Sequence, residues 1–184
     1  MSAAVLDMTT HTATMIIETD RLILKPLAVT DYEAQCALWN QEPVFRHITG
    51  KPMAHDEVWL RLLRDIGHWQ VFGHGNWSVK LKTTEQHIGV IGLFDYRRDI
   101  TPAFDAFEAG WVFDPAFHGQ GLASEALHAT LVFGDEKLKL PKTLCMISPE
   151  NEASLRLAER HGYVRVRHGL FHDHPVLILE RPHA

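Results

Sequence analysis

The sequence predicts a single α/β domain, and three observations carry that prediction. At 184 residues the chain is long enough for one real core and short for two. Stretches of alternating or β-type apolar character take turns along it with stretches whose apolar residues recur at threes and fours. The segment "DPAFHGQGLASEAL", Asp114 to Leu127, reads as the end of a strand that passes through a glycine-bearing loop into a helix.

The elements follow in order. "RLILKPL", Arg21 to Leu27, is a strand with Pro26 near its end. "TDYEAQCALWNQ" is a helix capped by Thr30 or Asp31, with Glu33 where a capping box places its acid. From Asp56 to Val71, the positions Val58, Trp59, Leu62, Leu63, Ile66 and Trp69 fall on one helix face. Trp39 lies on the apolar face of the helix before it. "GHGNW" is a turn, "WSVKLK" and "IGVIGLFDY" are strands, and "TTEQH" is the hairpin turn between them. A polar loop from Arg97 to Ala106 leads into the strand "FEAGWVF", Phe107 to Phe113. After the glycine loop come the helix "LASEALHATLVFGDEKL", the strand "TLCMIS" and the helix "NEASLRLAERHG". That last helix starts at Asn151 or Pro149 and ends at Gly162. "YVRVRHGLFHDHPVLILE" closes the chain as a hairpin.

Composition narrows the function. Apolar residues make up 46% and charged residues 22%, proportions of a globular chain rather than a disordered one. With 18 basic and 23 acidic residues the formal charge is −5, the wrong sign for a protein that finds nucleic acid by electrostatics. Cys36 and Cys145 form neither a CxxC pair nor a disulfide framework, which suits a reducing, cytoplasmic setting. No secretory signal pattern and no membrane-length apolar run is visible. Residues 1–14 read as a flexible leader and residues 15–184 as the domain.

The strand-to-helix loop is the first chemical candidate. Unpaired N–H groups gather there at the positive end of a helix, and Gly119 and Gly121 let an anion approach the backbone while Ala123 keeps the first turn slim. A turn that uses glycine for its geometry alone has the same sequence. The chain has no G-x-x-x-x-G-K-[ST], and Ser124 stands where a dinucleotide G-x-G-x-x-G would end.

"HGQGLASEAL" resembles the acetyl-CoA pyrophosphate loop of GCN5-related N-acetyltransferases (GNAT), with His118 where that signature has Arg or Gln. "ETDRLILKPL", "FEAGWVFDPAFHGQGLASEA" and "NEASLRLAERHGY" are similar, in the same order, to blocks of the RimJ/RimL-like branch, so the resemblance runs from about Ile17 to Leu179. It implies a mostly antiparallel central sheet with splayed central strands, flanked by helices. It also implies acetyl-CoA as co-substrate and direct transfer to a primary amine, on a protein N-terminus or a small molecule. By the same resemblance His118, Gly119, Gln120, Gly121, Leu122 and Ala123 hold the pyrophosphate. The backbone of Trp111, Val112 and Phe113 takes the pantetheine arm, and Asn151 lies beside it. Ser154 stands near the thioester sulfur as a general acid, and Glu108, with Asp95 as second choice, is the base. A homodimer is also implied.

Bland readings accompany these roles: Asn151 as a helix cap, Ser154 as a surface residue and Glu108 as a solvated charge. A non-catalytic acetyl-CoA sensor would keep the loop and need neither Glu108 nor Ser154. Of the 13 histidines, His168, His172 and His174 cluster with Asp173 at a hairpin turn, where a turn is favoured over a metal site and no metal is expected. His47, His55, His68 and His74 read as surface residues. Asn40 to Pro52 and Arg97 to Ala106 are expected to line the acceptor side.

Overall fold

The computed structural model describes residues 15–183, so the expected leader at 1–14 lies outside the described residues. Strands β1 (Ile17–Glu18), β2 (Leu22–Pro26), β3 (Asn76–Leu81), β4 (His87–Phe94), β5 (Glu108–Phe113), β6 (Lys142–Ile147), β7 (Val164–Phe171) and β8 (His174–Pro182) form one sheet, in the order β1-β2-β3-β4-β5-β6-β8-β7. Its neighbours run antiparallel except β5 and β6, which run parallel. Helices α1 (Tyr32–Trp39), α2 (Glu42–Phe45), α3 (His55–Phe72), α4 (Leu122–Glu136) and α5 (Glu152–Arg160) complete it.

Period-two alternation sends adjacent residues of β4 to opposite faces. Val90 joins Leu38, Trp39, Val58 and Leu62 of α1 and α3, while Ile91 and Leu93 pack with Ala126, Leu127 and Leu131 of α4. Helices thus cover both faces, which explains why β3 and β4 are buried along nearly their whole length.

Three expectations need correction. α1 is preceded by a 3-10 turn, Val29–Asp31, and the Asp31 carboxylate accepts the Ala28 N–H at 3.0 Å, so the acid of the capping arrangement is Asp31 and not Glu33. In α3 the inward stripe is Val58, Leu62, Asp65 and His68, while Trp59 and Leu63 are 36% and 42% exposed. His68 and His74 are core residues, at 6% and 3% exposure, not surface ones. The Asp95 N–H donates to His68 Nε2 at 2.9 Å, so Nδ1 carries the proton and donates to the His74 carbonyl at 2.7 Å. Polar partners inside the fold turned the helix toward these residues. β1 and α2 were not anticipated, being too short to carry a period.

A partly buried neutral histidine makes stability depend on pH. The Gln35 side-chain oxygen accepts from Trp39 Nε1 at 3.1 Å, which leaves its NH2 to donate to His87 Nε2 at 3.0 Å. Burial, with Lys80 assisting and Asp31 opposing, pushes the His87 pKa down to about 4. An unfolded histidine titrates near 6.5, so below that pH the unfolded chain binds a proton that the folded chain refuses. Stability is therefore full above pH 6.5 and lost as the pH falls from there to about 4, by on the order of 3 kcal/mol from this group. Burial also lowers the His68 and His74 pKa, and both push the same way. Urea midpoints measured from pH 7.5 to 4 should show this slope, and His87→Gln should flatten it; an unchanged slope in that variant would refute the assignment.

Candidate active site

The glycine loop lies where β5 stops and α4 starts. Asp114 ends the strand by accepting the Ala116 N–H at 2.9 Å, and a 3-10 turn, Pro115–Phe117, swings the chain toward α4. Gly119 and Gly121 adopt φ of +75° and +76°, a region that L side chains enter at a cost of about 1–2 kcal/mol. A Cβ at Gly119 would meet open space, so glycine is there for its backbone angle and for access rather than for packing. The first amide of the helix with a backbone partner is that of Glu125, which donates to the Gly121 carbonyl at 3.0 Å. Those ahead of it, from Gly119 on, meet no acceptor among the described residues. Exposed amides at a helix N-terminus form an anion cradle.

The His118 side chain does not reach into this cradle. Its Nε2 lies 3.1 Å from the Phe113 carbonyl, so the imidazole pins the loop to the end of β5. Arg21 holds the loop from the far side: Nη1 donates to the Gln120 carbonyl at 2.9 Å, and Nε pairs with Glu125 at 2.6 Å. Glu125 also accepts from the Arg21 N–H and the Thr19 hydroxyl, and these partners outweigh its partial burial to lower its pKa. This brace was missed in the sequence; an Arg just ahead of a strand carries no signal of a distant loop.

Beside the loop the sheet opens. β5 and β6 share one register pair, Glu108 with Leu144, closed by the Leu144 N–H to the Phe107 carbonyl at 3.0 Å, and then diverge. The β6-facing backbone groups of Trp111 and the Phe113 N–H are left as a free strand edge, while Val112 between them turns its backbone to β4 and the Phe113 carbonyl is met by His118. A cavity of about 650 Å³ extends from this edge to the loop, walled by Trp111, Phe113, Gly119, Ala123 and, from α5, Leu157 and Arg160. Arg46 lines it from the opposite side. A second cavity, of about 220 Å³, continues past Trp111 and Val112 to Glu108, Tyr96 and Arg98. Both of the segments expected on the acceptor side reach this second cavity, through His47 and Ile48 and through Arg98.

Asn151 and Ser154 stand where the two cavities meet. Asn151 Oδ1 accepts the Ser154 N–H at 3.1 Å, so it caps α5 and lines the opening at once. Trp111 Nε1 donates to Ser154 Oγ at 3.2 Å. With one lone pair of the hydroxyl taken, its own hydrogen is left for another acceptor.

Glu108 is no solvated strand end. It is 5% exposed, and both its oxygens accept from Arg98, one of them at 2.9 Å. Burial raises its pKa, with the Arg98 guanidinium pulling the other way. Asp95, the second candidate, turns back to its own chain: Oδ1 accepts the Arg97 N–H at 2.9 Å, and it is not among the cavity's lining residues. Around Glu108 runs a polar chain. Asn76 donates to the Tyr96 hydroxyl at 2.6 Å, Tyr96 donates to Asp65 at 2.6 Å, and Asp65 pairs with Arg64 at 2.9 Å. Burial raises the Tyr96 pKa well above its usual value, so its hydroxyl keeps its proton.

Among the described residues no group of His, Cys, Asp and Glu is arranged to hold a metal. His172 and Asp173 form the turn of the β7–β8 hairpin, at φ of +48° and +62°. Cys145 lines the smaller cavity, but burial first, and then Glu108, push its thiol pKa well up. No helix among the described residues is long and apolar enough to cross a membrane.

Known proteins share this fold. Residues 21–164 match the acetyltransferase (GNAT) domain family. The chain is 26% identical over 151 residues to the uncharacterized N-acetyltransferase YnaD of Bacillus subtilis, covering 82% of this chain and 84% of that one. A solved GNAT-family structure from Bordetella pertussis is similar over 90% of this chain and 98% of its own, at 30% identity and a TM-score of 0.81. An acetyltransferase from Agrobacterium tumefaciens, also 30% identical, covers 90% and 92% with a TM-score of 0.77.

Proposed function

Because the chain belongs to the GNAT acetyltransferase family and is an acetyltransferase enzyme, we propose that it transfers acetyl from acetyl-CoA directly to a primary amine, with residues 15–184 as its domain. The observation that carries this is the meeting of the two cavities at Trp111, Asn151 and Ser154, with the amide cradle at one end and Glu108 at the other.

The residues fit acetyl-CoA. Amides from Gly119 to Ala123 face a pyrophosphate, with Arg46 and Arg160 as cations on the same cavity. The open edge at Trp111 and Phe113 takes an extended, amide-bearing arm as an added strand, with Val112 between them lining the cavity. His118 and Gln120 serve through the loop's shape, and Leu122 anchors it in the core. Bound acetyl-CoA supplies an activated thioester. An ammonium has no lone pair to attack it, so a proton must leave the amine first, and Glu108, whose proton affinity burial raises, accepts it. Ser154, held by Trp111, donates a hydrogen bond to the departing sulfur, and the proton that completes the thiol comes from the nitrogen as the amide forms. The high pKa of Cys145 speaks against a thiolate relay and for direct transfer.

Two distant structures with this fold bracket the acceptor. One is a spermidine N-acetyltransferase from Vibrio cholerae, at 19% identity and a TM-score of 0.71; the other is RimL, a ribosomal L7/L12 alpha-N-protein acetyltransferase, at 18% and 0.74. A place in the RimJ/RimL-like branch is part of the proposal and rests on that second likeness. The two buried free thiols suit a reducing cytoplasm.

Acetyl-CoA-dependent thiol release across N-terminal peptides, amino acids, polyamines and aminoglycosides tests the reading. Ser154→Ala is expected to lower kcat roughly tenfold to a hundredfold with acetyl-CoA binding unchanged. Tight binding of acetyl-CoA with no release on any amine would instead identify a sensor.

A further inference from the structure

The smaller cavity holds an unbalanced charge. Its wall carries three guanidinium groups, Arg61, Arg64 and Arg98, and two carboxylates, Asp65 and Glu108. Each carboxylate is already taken: Arg64 lies 2.9 Å from Asp65, and Arg98 chelates Glu108. Arg61 is left over. No hydrogen bond or ion pair reaches it among the described residues, its Nε is buried with no acceptor, and its guanidinium stacks 4.1 Å from the centre of the Trp39 ring.

A cation left in this way is costly to the free protein. A buried donor without an acceptor costs about 1–3 kcal/mol, and nearby guanidinium groups add repulsion. Burial and the neighbouring Arg64 bring the Arg61 pKa down to about 10, so it is still charged at neutral pH. Packing does not require an arginine there, because the stacking on Trp39 uses only the face of the guanidinium. Arg61 lines a cavity of about 220 Å³, and its two terminal nitrogens, which have no acceptor among the described residues, offer the end-on fork of N–H groups that matches a carboxylate. That volume suits a molecule of amino-acid size.

We propose that the acetyl acceptor is a small amine that also carries a carboxylate, and that Arg61 binds the carboxylate while the amino group is presented toward Glu108 and Ser154. This rests on the acetyl-transfer reading and narrows it. The same wall disfavours a polyamine, whose several ammonium groups would meet more guanidinium groups than carboxylates. The net charge of −5 for the whole chain gives no hint of this; the local sign is opposite to the global one.

The test compares α-amino acids with their carboxamides, which keep the amine and lose the anion, and includes acidic N-terminal peptides as a third arm. Wild type is expected to favour an acid over its amide by about tenfold to a hundredfold in kcat/KM. Arg61→Met should collapse that ratio toward one through KM, and Arg61→Lys should restore part of it. Melting temperature should not fall in Arg61→Met, since no partner is orphaned. The same probes read by thermal shift with CoA present need no turnover: a rise given by the acid, absent with the amide and absent in Arg61→Met, supports the anion site even where no acetyl moves. A preference for amides or polyamines, for acidic peptides over free amino acids, or a ratio that Arg61→Met leaves intact, overturns the proposal.

Discussion

Glu108→Gln is expected to lower kcat by about 10²–10⁴ near neutral pH, the usual contribution of a positioned base. Glu108 lines the same cavity as Asn151 and Ser154, and the other carboxylate there, Asp65, is held by Tyr96 and Arg64. The substitution also leaves Arg98 without its counter-charge, and breaking a buried pair costs about 3–5 kcal/mol, so lost activity alone is ambiguous. The pH profile separates the two causes. If Glu108 takes the proton, alkaline solution replaces it, because the amine then arrives unprotonated; the variant should regain activity as the pH climbs through the pKa of the acceptor amine. A variant damaged only in its packing stays equally impaired at every pH. Profiles of kcat/KM from pH 6 to 10, with melting curves at each pH, distinguish the outcomes.

Gly92→Ala is expected to cost about 3 kcal/mol or more of stability, at the upper end for overpacking. Gly92 pairs with Asn76 across β3 and β4. A Cβ there would stand 2.5 Å from the Gly75 carbonyl and 2.6 Å from Asn76 Cα. Both obstacles are backbone, so no rotamer change relieves them and the two strands must move apart. For a chain of this size that loss lowers the melting temperature by roughly 6–12 °C. The displaced Asn76 also lets go of Tyr96, and with it the chain of contacts to Asp65 and Arg64. Circular dichroism melts measure the first effect, and an unchanged Tm would mean that β3 and β4 are not held at this spacing.

The legible parts of the molecule were those written in neighbouring residues. Asn151 announces a helix start because a cap bonds three residues along its own chain, and it does so with the Ser154 N–H. The turn of β5 into α4 was legible through Asp114, Pro115 and the two glycines for the same reason. Periodicity predicted α3 but not its phase: Trp59 and Leu63 are the more apolar choice, and Asp65 and His68 displaced them because Tyr96, Asp95 and His74 wait inside as partners. Glu108 was picked out through the family resemblance, as an acid near the start of the strand before the loop, whereas its chelation by Arg98 depends on how the polar loop folds back. Arg61 left no trace at all, since an arginine on an amphipathic helix reads as solvent-facing. The divergence of β5 from β6 came only through the family resemblance, because a missing hydrogen bond has no residue code.

That divergence has a consequence for the protein's lifetime. The sheet is two plates, β1 to β5 and β6 to β8 with β7 at the rim, hinged at the Glu108–Leu144 pair. An occupant that satisfies the free edge of Trp111 to Phe113 is, in thermodynamic terms, a ninth strand supplied from solution. Binding that favours only the folded chain adds RT ln(1 + [L]/Kd), about 2.7 kcal/mol at a hundredfold excess over Kd. In the proposed reading the pantetheine arm is that strand, so the folded fraction rises with the supply of CoA and acetyl-CoA, which both carry it. On that reading, when neither is at hand the chain is easier to unfold, so the open seam makes the lifetime of the folded protein depend on its co-substrate and product alike.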